Sequence, residues 1–330
     1  MQNFYSNRLL HLAAHLYYVK GMRQASLGKY LKISQAKVSR LLSLAQERGI
    51  VRIIVADFEP RDRELEAGLQ ARFGLATAVV IKAPQELSLE ELRKILGRFA
   101  APEIEGLIKP RDIIAIGSGR NTRELVRNFS ISTGKRPTIV QTVGNVDASV
   151  HDFDAQEIGR VFSQRLGGDF LTFNMPAFVP TKKIRDALLA LDQSRVVNTC
   201  LNQARMALVG VGTLDNSVFI ERSMLAEKDI AELKAAGAVG EIGGRFYNAA
   251  GRECDTRWRN QVLSIELDRL AAIPQVIGVV SGTDRSASIR AAIAGGFLKG
   301  LVIDETGARA LLASADQPGP ARPKSQKSKK

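Results

Sequence analysis

Between Gln24 and Val51 the chain reads QASLGKYLKISQAKVSRLLSLAQERGIV, and the residues there that could do chemistry are Gln24, Ser34, Gln35, Ala36, Lys37, Ser39 and Arg40. Amide, hydroxyl and basic groups gathered on one polar face suit hydrogen bonds to base edges and ion pairs with phosphates, the chemistry of a surface that enters a major groove. The neighbouring residues say how that face would be held. Leu27 and Leu31 put apolar groups on one side of a first helix, and Lys32 and Ile33 make a turn. Ser34 can cap a second helix by accepting a backbone N–H, and Val38, Leu41, Leu42 and Ala45 supply its buried stripe at spacings of 3 and 4. This is the grammar of a DNA-binding helix-turn-helix, with Gln35 and Arg40 placed nearest the bases.

Further along, three loops carry polar groups just after apolar runs. Gly117, Ser118, Gly119, Arg120, Asn121 and Thr122 follow IIAI and precede a helical run. A glycine loop there presents backbone N–H groups at a helix N-terminus, where an anion is favoured, and Ser118, Thr122 and Arg120 add donors. Gly144, Asn145 and Asp147 follow TIVQTV and could bind sugar hydroxyls. The third loop is SGTDRSASIRAAI, residues 281–293. Asp284 or Thr283 can cap its helix, and Arg285 falls in the first turn, where a cation opposes the helix dipole. Each loop also has a plainer reading: glycines make tight turns, and Asn and Asp are ordinary turn residues.

The elements that must position these loops alternate. Strands are predicted at 78–81, 113–116, 138–143, 170–173, 206–209, 276–280 and 301–303. Helices are predicted at 89–107, 121–129, 155–166, 184–191, 227–235, 285–294 and 306–312, with a connecting helix at 59–73 and a support helix at 8–20 ended by Gly21. Apolar strands that alternate with helices argue a largely parallel sheet covered on both faces. In such a sheet the three loops open on one edge, the usual place for a ligand. The run IVRIIVADF after Gly49 reads as a strand backing the reader, a wing. The predicted fold is therefore α/β, with a winged helix-turn-helix at 1–55, a larger Rossmann-like α/β domain at 56–313 and a tail at 314–330.

Charge follows the same division. Residues 1–55 hold nine Lys or Arg against one acid, Glu47, and residues 314–330 hold five against one, so nearly all of the net charge of +13 sits at the two ends. A basic N-terminal segment points to the phosphate backbone, and the tail PGPARPKSQKSKK reads as a disordered basic extension adding salt-sensitive affinity. The two cysteines, Cys200 and Cys254, lack metal-ligand spacing, so neither a disulfide framework nor a zinc site is expected. No apolar run is long enough for a bilayer and no signal-peptide pattern is present, which predicts a cytoplasmic protein without a membrane partner. Of three histidines, His11 and His15 lie in the reader and His151 is isolated, so no catalytic set, metal or cofactor is predicted.

The chain resembles the SorC/DeoR-type family of bacterial sugar-responsive transcriptional regulators from about residue 8 to 312. The likeness is carried by SQAKVSRLLSLAQERGIV, LVGVGTL (208–214), AAGAVGEIGGRFYNAAG (235–251), SGTDRSASIRAAI and LVIDETGARALL (301–312). The resemblance implies a dimer or tetramer. It also implies an effector domain similar to sugar-phosphate isomerases that binds a phosphorylated sugar or sugar acid without turnover. The matching pocket positions are 117–122, 144–147, Glu241 and Arg285. The chain departs from the family by Glu241 for Asp, Arg285 for Lys and Gly28 for Ala; the first two keep charge but change reach. The expected function is a regulator of carbohydrate genes that binds double-stranded operator DNA. The alternative is an active sugar-phosphate isomerase or deaminase fused to a DNA-binding domain, with Asp147 and Glu241 as the evident acid–base candidates. A DNA-processing enzyme would need a carboxylate metal cluster, and the sequence offers none.

Overall fold

The computed structural model of the protein describes residues 5–52, 58–131 and 134–315, and it separates into two compact units, 1–58 and 59–330. In the first unit, α1 (Asn7–Ala14) starts where Ser6 Oγ accepts the Leu9 N–H at 3.3 Å. The single helix expected over 8–20 instead widens into a π turn, His15–Val19, before Gly21 ends it at φ +67°. The wider turn shifts the helical phase, and Tyr18 Oη in it accepts Gln46 Nε2 at 3.0 Å. α2 (Gln24–Leu31) ends at Lys32, in the left-handed region at φ 55°. α3 (Gln35–Glu47) opens with Ser34 Oγ accepting the Lys37 N–H at 3.3 Å, the cap that the sequence predicts. Leu10, Ala13, Leu27, Val38, Leu41 and Ala45 make the core. A Cβ at Gly28 would lie 2.9 Å from Ile33 O, so glycine lets the turn close onto α2 and recovers in packing what it costs in helix propensity. The expected wing strand falls mostly on residues 53–57, outside the described residues. So does the tail from 316 onward, while 314 and 315 finish the last helix rather than begin the tail.

The second unit alternates as expected. Its strands are β1 (Thr77–Ile81), β2 (Ile113–Ile116), β3 (Thr138–Gln141), β4 (Asp169–Leu171), β5 (Met206–Val209), β6 (Ala238–Ile242), β7 (Arg245–Asn248), β8 (Gln275–Val279) and β9 (Gly300–Asp304). Seven of them form one sheet in the order β1-β9-β8-β5-β2-β3-β4, and every ladder in it is parallel. The side-chain period of two sorts them onto two faces: Val79, Ile81, Ile114 and Ile116 enter one core, Ala78, Val80 and Ala115 the other. The first face is covered by α5 (Leu89–Leu107), α6 (Arg120–Arg127) and α7 (Ala155–Leu166), through Leu96, Leu125 and Phe162 among others. The second is covered by α4 (Arg63–Phe73), α9 (Asp192–Asn202), α12 (Leu267–Ala272), α13 (Ser286–Ala294) and α14 (Glu305–Ala315). The remaining helices are α8 (Lys182–Leu189), α10 (Val218–Glu221) and α11 (Glu227–Ala235). The hairpin β6–β7 places Ile242 and Tyr247 in the second core and Phe246 in a third cluster around Trp258, whose Nε1 donates to Gly244 O at 2.6 Å. No helix among the described residues is long and apolar enough to cross a membrane.

All seven strands of the large sheet fall where the sequence predicts them, within one or two residues at either end. The hairpin was not predicted, although Gly243-Gly244, both at positive φ (58° and 80°), is a strong turn signal between two short runs. Before β1, Arg61 pairs antiparallel with Ile81, and Asp62 N–H donates to Val80 O at 2.9 Å. This short segment shields the sheet edge. Arg61 is fixed by Glu66 at 2.7 Å and by Glu103.

Among the helix contacts, one is unusually close. A Cβ on Gly97 would meet the Glu124 carbonyl carbon and oxygen at 2.5 Å, so α5 and α6 touch backbone to side-chain-free backbone. Replacing Gly97 by Ala adds about 1 kcal/mol of helix propensity, but the obstacle is main chain that cannot rotate away. Overpacking of that kind costs roughly 1–3 kcal/mol. Gly97→Ala is therefore expected to lower the melting temperature, which a calorimetric or dichroism melt measures; a rise in Tm would show that the two helices separate freely.

Candidate functional site

Strands β2, β5 and β8 lie side by side or one apart in the sheet, and each delivers its C-terminal loop to the same edge. After β2, Gly117, Ser118 and Gly119 lead into α6. Gly119 sits at φ 140°, ψ 143°, a backbone region open to glycine alone, and its N–H donates to Phe153 O at 2.9 Å. After β5 comes Gly210-Val211-Gly212, and a Cβ on Gly210 would lie 2.9 Å from Ser118 O. After β8 comes the loop 281–285, held by Asp304 at the end of β9, whose Oδ1 accepts the Gly282 N–H at 2.6 Å. Between these loops is a cavity of about 80 Å³, lined by Ser118, Gly119, Arg120, Asn121, Glu241 and Arg285 among the predicted residues. Arg93, Gly210, Val211, Gly212, Asn216, Val218, Phe219, Gly243 and Val279 complete the lining.

Guanidinium groups dominate its charge. Arg120 is paired to Glu221 at 2.6 Å and stands 4.3 Å over the Phe153 ring. Arg285 Nη1 donates to Ser281 O at 2.7 Å and to Asp284 at 2.8 Å. Arg93 has no hydrogen bond or ion pair among the described residues, and its Nε is buried without an acceptor. Burial, then the charges of Arg120, Arg285 and Arg123, hold Arg93 below the ordinary arginine pKa. Asn121 Oδ1, Thr122 Oγ1 and Ser281 Oγ around the same edge are likewise buried and unpartnered. Buried polar atoms are normally satisfied; of these residues Arg93 and Asn121 line the cavity, while Thr122 and Ser281 are fully buried outside its lining. Glu241 is different. Burial pushes its carboxyl pKa up, against the pull of the Gly244 N–H and the Ser217 hydroxyl, which both donate to it.

Several expectations meet a different geometry. Gly117 and Thr122 flank the cavity without lining it, and Thr122 is fully buried. The second loop does not reach it. Gly144 packs on Pro176, where a Cβ would meet the carbonyl at 2.5 Å, and Asn145 exchanges backbone hydrogen bonds with Met175 and Ala177 at 2.8 and 2.7 Å. Asp147 accepts from Ser149 N–H at 2.7 Å and pairs with Arg222 at 3.4 Å. What this stretch contributes is support: Arg222, paired to Asp154 at 2.8 Å, and Arg120 stack on opposite demands of one ring, Phe153. Asp284 and Thr283 do not cap α13; Arg285 occupies the N-cap position and Asp284 turns to Asn216 Nδ2 at 3.1 Å. Arg93, Asn216 and Phe153 were missed by sequence reasoning, because nothing local distinguishes an arginine inside a helix or a phenylalanine inside a loop.

In the first unit, Gln35, Ala36, Lys37, Ser39 and Arg40 are exposed around the buried Val38, Ser34 caps the helix, and Gln24 opens α2 half-buried. No hydrogen bond or ion pair within the described residues occupies the side chains of Gln35, Lys37 or Arg40, which leaves them available to another molecule. Among the described residues, no group of three or more His, Cys, Asp or Glu is placed to hold a metal ion.

Residues 60–313 match the family described as "Putative sugar-binding domain". The chain is 29% identical to the transcriptional regulator LsrR of Enterobacter sp. over 92% of both chains. It is 30% identical to the deoxyribonucleoside regulator of Bacillus subtilis over 91% of this chain and 96% of that one. The structure superposes on the full-length sorbitol operon regulator SorC of Klebsiella pneumoniae with a TM-score of 0.74 at 28% identity, covering 94% of this chain and all of that one.

Two measurements probe these sites. If α3 reads DNA, Arg40→Ala is expected to weaken specific binding by roughly 1–3 kcal/mol, provided that it makes a bidentate base contact. Unchanged binding by the Lys37→Ala, Arg40→Ala pair would remove α3 from the interface. For Glu241, the folded pKa is raised above the model value of 4.5. The folded state then holds the proton more tightly than the unfolded state, and stability is lost as pH rises from about 4.5 toward the folded pKa. Glu241→Gln keeps an acceptor for Gly244 and removes the ionisation. It should melt higher than wild type at pH 8 by roughly 2–4 °C for each kcal/mol regained, with the difference shrinking toward pH 4.5.

Proposed function

The chain belongs to the SorC/DeoR-type family of transcriptional regulators with a sugar-binding domain, and from that premise we propose that its cavity takes a phosphorylated sugar whose binding controls the grip of α3 on operator DNA. It is a DNA-binding regulator related to proteins named for sorbitol and deoxyribonucleoside control. The observation that carries the phosphate reading is the set of guanidiniums, Arg93, Arg120 and Arg285, around the glycine loop at the N-terminus of α6. Backbone N–H groups, a helix dipole and arginine forks all favour the same guest, an anion with several oxygens. The buried, unpartnered Oδ1 of Asn121, which lines the cavity, suits a hydroxyl of the sugar.

The proposed action is binding without turnover. Isomerisation needs an acid or base at the carbon skeleton. The lining holds a single carboxyl group, Glu241, and that group is already engaged by Gly244 and Ser217. His151 is occupied elsewhere, 3.9 Å from Asp147 and 5.5 Å from the Phe153 ring. The protein would act in the cytoplasm as a homodimer or homotetramer, so that paired readers meet the two halves of a palindromic operator. The effector would favour one of two arrangements and so change operator affinity by the same factor that the operator changes effector affinity.

Calorimetric titration of the full chain with matched phosphorylated and unphosphorylated sugars tests this. The phosphorylated form is expected to bind, and Arg285→Ala to lose most of that affinity while keeping operator binding without ligand. Equal binding of both forms would overturn the phosphate assignment.

A further inference from the structure

Two turns of α5 carry a stripe of three residues, Leu89, Arg93 and Gly97, spaced by four and therefore on one face. Each end of the stripe is pinned to a different wall of the cavity. Leu89 lies 4.0 Å from the position of a Cβ on Gly282, in the loop that carries Arg285. Gly97 is pressed against Glu124 of α6, and one turn before Glu124 on that helix is Arg120. Arg93, in the middle, lines the cavity between the two walls, and its electrostatic neighbours are those two arginines, Arg123 and, more weakly, Glu90.

The protein treats these cations unequally. Glu221 and Phe153 hold Arg120; Asp284 and Ser281 O hold Arg285; Asp152 and Glu124 hold Arg123. Arg93 alone of the four has no hydrogen-bonding or ion-pair partner among the described residues, and its buried Nε faces no acceptor. Arg93 is only partly buried and Nε is its one buried unsatisfied atom, so its other donors are left open at the cavity it lines.

We propose that Arg93 is a further ligand-binding residue of the cavity, the guanidinium reserved for the guest, and that with Arg120 and Arg285 it makes the site select a phosphomonoester dianion over a carboxylate monoanion. The inference rests on the phosphorylated-sugar reading above and sharpens it by excluding unphosphorylated sugar acids. A phosphomonoester offers three oxygens and, above its second pKa near 6, close to two negative charges. That matches several converging cations, whereas a carboxylate satisfies a single fork.

The test uses the full chain as wild type, Arg93→Met and Arg93→Lys, with inorganic phosphate, a panel of pentose and hexose phosphates, and gluconate as the carboxylate probe. Thermal shift and calorimetry are read at pH 7.5 and constant ionic strength. Wild type is expected to be stabilised by phosphate compounds and not by gluconate. Arg93→Met is expected to weaken the tightest sugar phosphate roughly 10- to 100-fold, with Arg93→Lys between the two. Without ligand, Arg93→Met should melt at or above wild type, because a buried unpaired donor and a like-charge neighbour are gone. Sugar-phosphate affinity unchanged by Arg93→Met overturns the assignment while leaving the parent reading intact. A variant that loses ligand-free stability together with affinity marks Arg93 as structural and also overturns it. Gluconate binding as tightly as the phosphates sinks the selectivity. A wild type that no phosphate compound stabilises defeats the parent reading itself, and this inference with it.

Discussion

Because every ladder of the large sheet is parallel, each strand must release its loop at the same edge, and everything polar in the second unit is arranged around that constraint. The interior of a parallel sheet admits little but apolar side chains; Ile114, Ala115, Ile116, Ala207 and Leu208 are fully buried in this one. Polar chemistry is left to the turns. Glycine at 119, 210 and 212 thins those turns until loops from β2 and β5 approach within side-chain-free distance, and a concave surface results.

Positive charge brought to that edge needs management, since like charges repel in a low-dielectric pocket. The solution is a second ring of supports. Phe153 offers its π face to Arg120 and Arg222, and Asp154, Glu221 and Asp284 anchor individual guanidiniums. The loop after β3 is thus a scaffold for the loop after β2.

How much of this could be read from the chain depended on how local each signal was. Strand IIAI followed by GSGRNT announces a buried strand and a helix start within ten residues, and the structure has both. Ser34 as a cap and Val38 as the buried member of an exposed face were equally local. The failures concern partners remote in sequence. Asn145 and Asp147 have the right chemistry for hydroxyls, but Gln141 donates to the Asn145 side chain, Arg222 pairs with Asp147, and neither residue lines the cavity. Asp284 is a good cap in isolation and is diverted by Asn216, 68 residues away. Arg93 reaches the cavity only because Gly97 lets two helices touch, a fact of packing that no periodicity contains.

The carboxylate of Asp304 has a double attachment. It receives the Gly282 N–H from the cavity loop and the Gly307 N–H from α14, and its own backbone stands in register with Ile81 of β1. Ile81 in turn pairs with Arg61, and Lys82 N–H donates to Pro60 O at 2.8 Å, so the first residues of the second unit hang from the same strand end. The loop that carries Arg285 and the segment through which the chain arrives from the first unit are therefore moored to one post, two strands wide. A displacement beside Arg285 would therefore have a bonded route, through Asp304 and Ile81, to Arg61 and Pro60 at the start of the second unit.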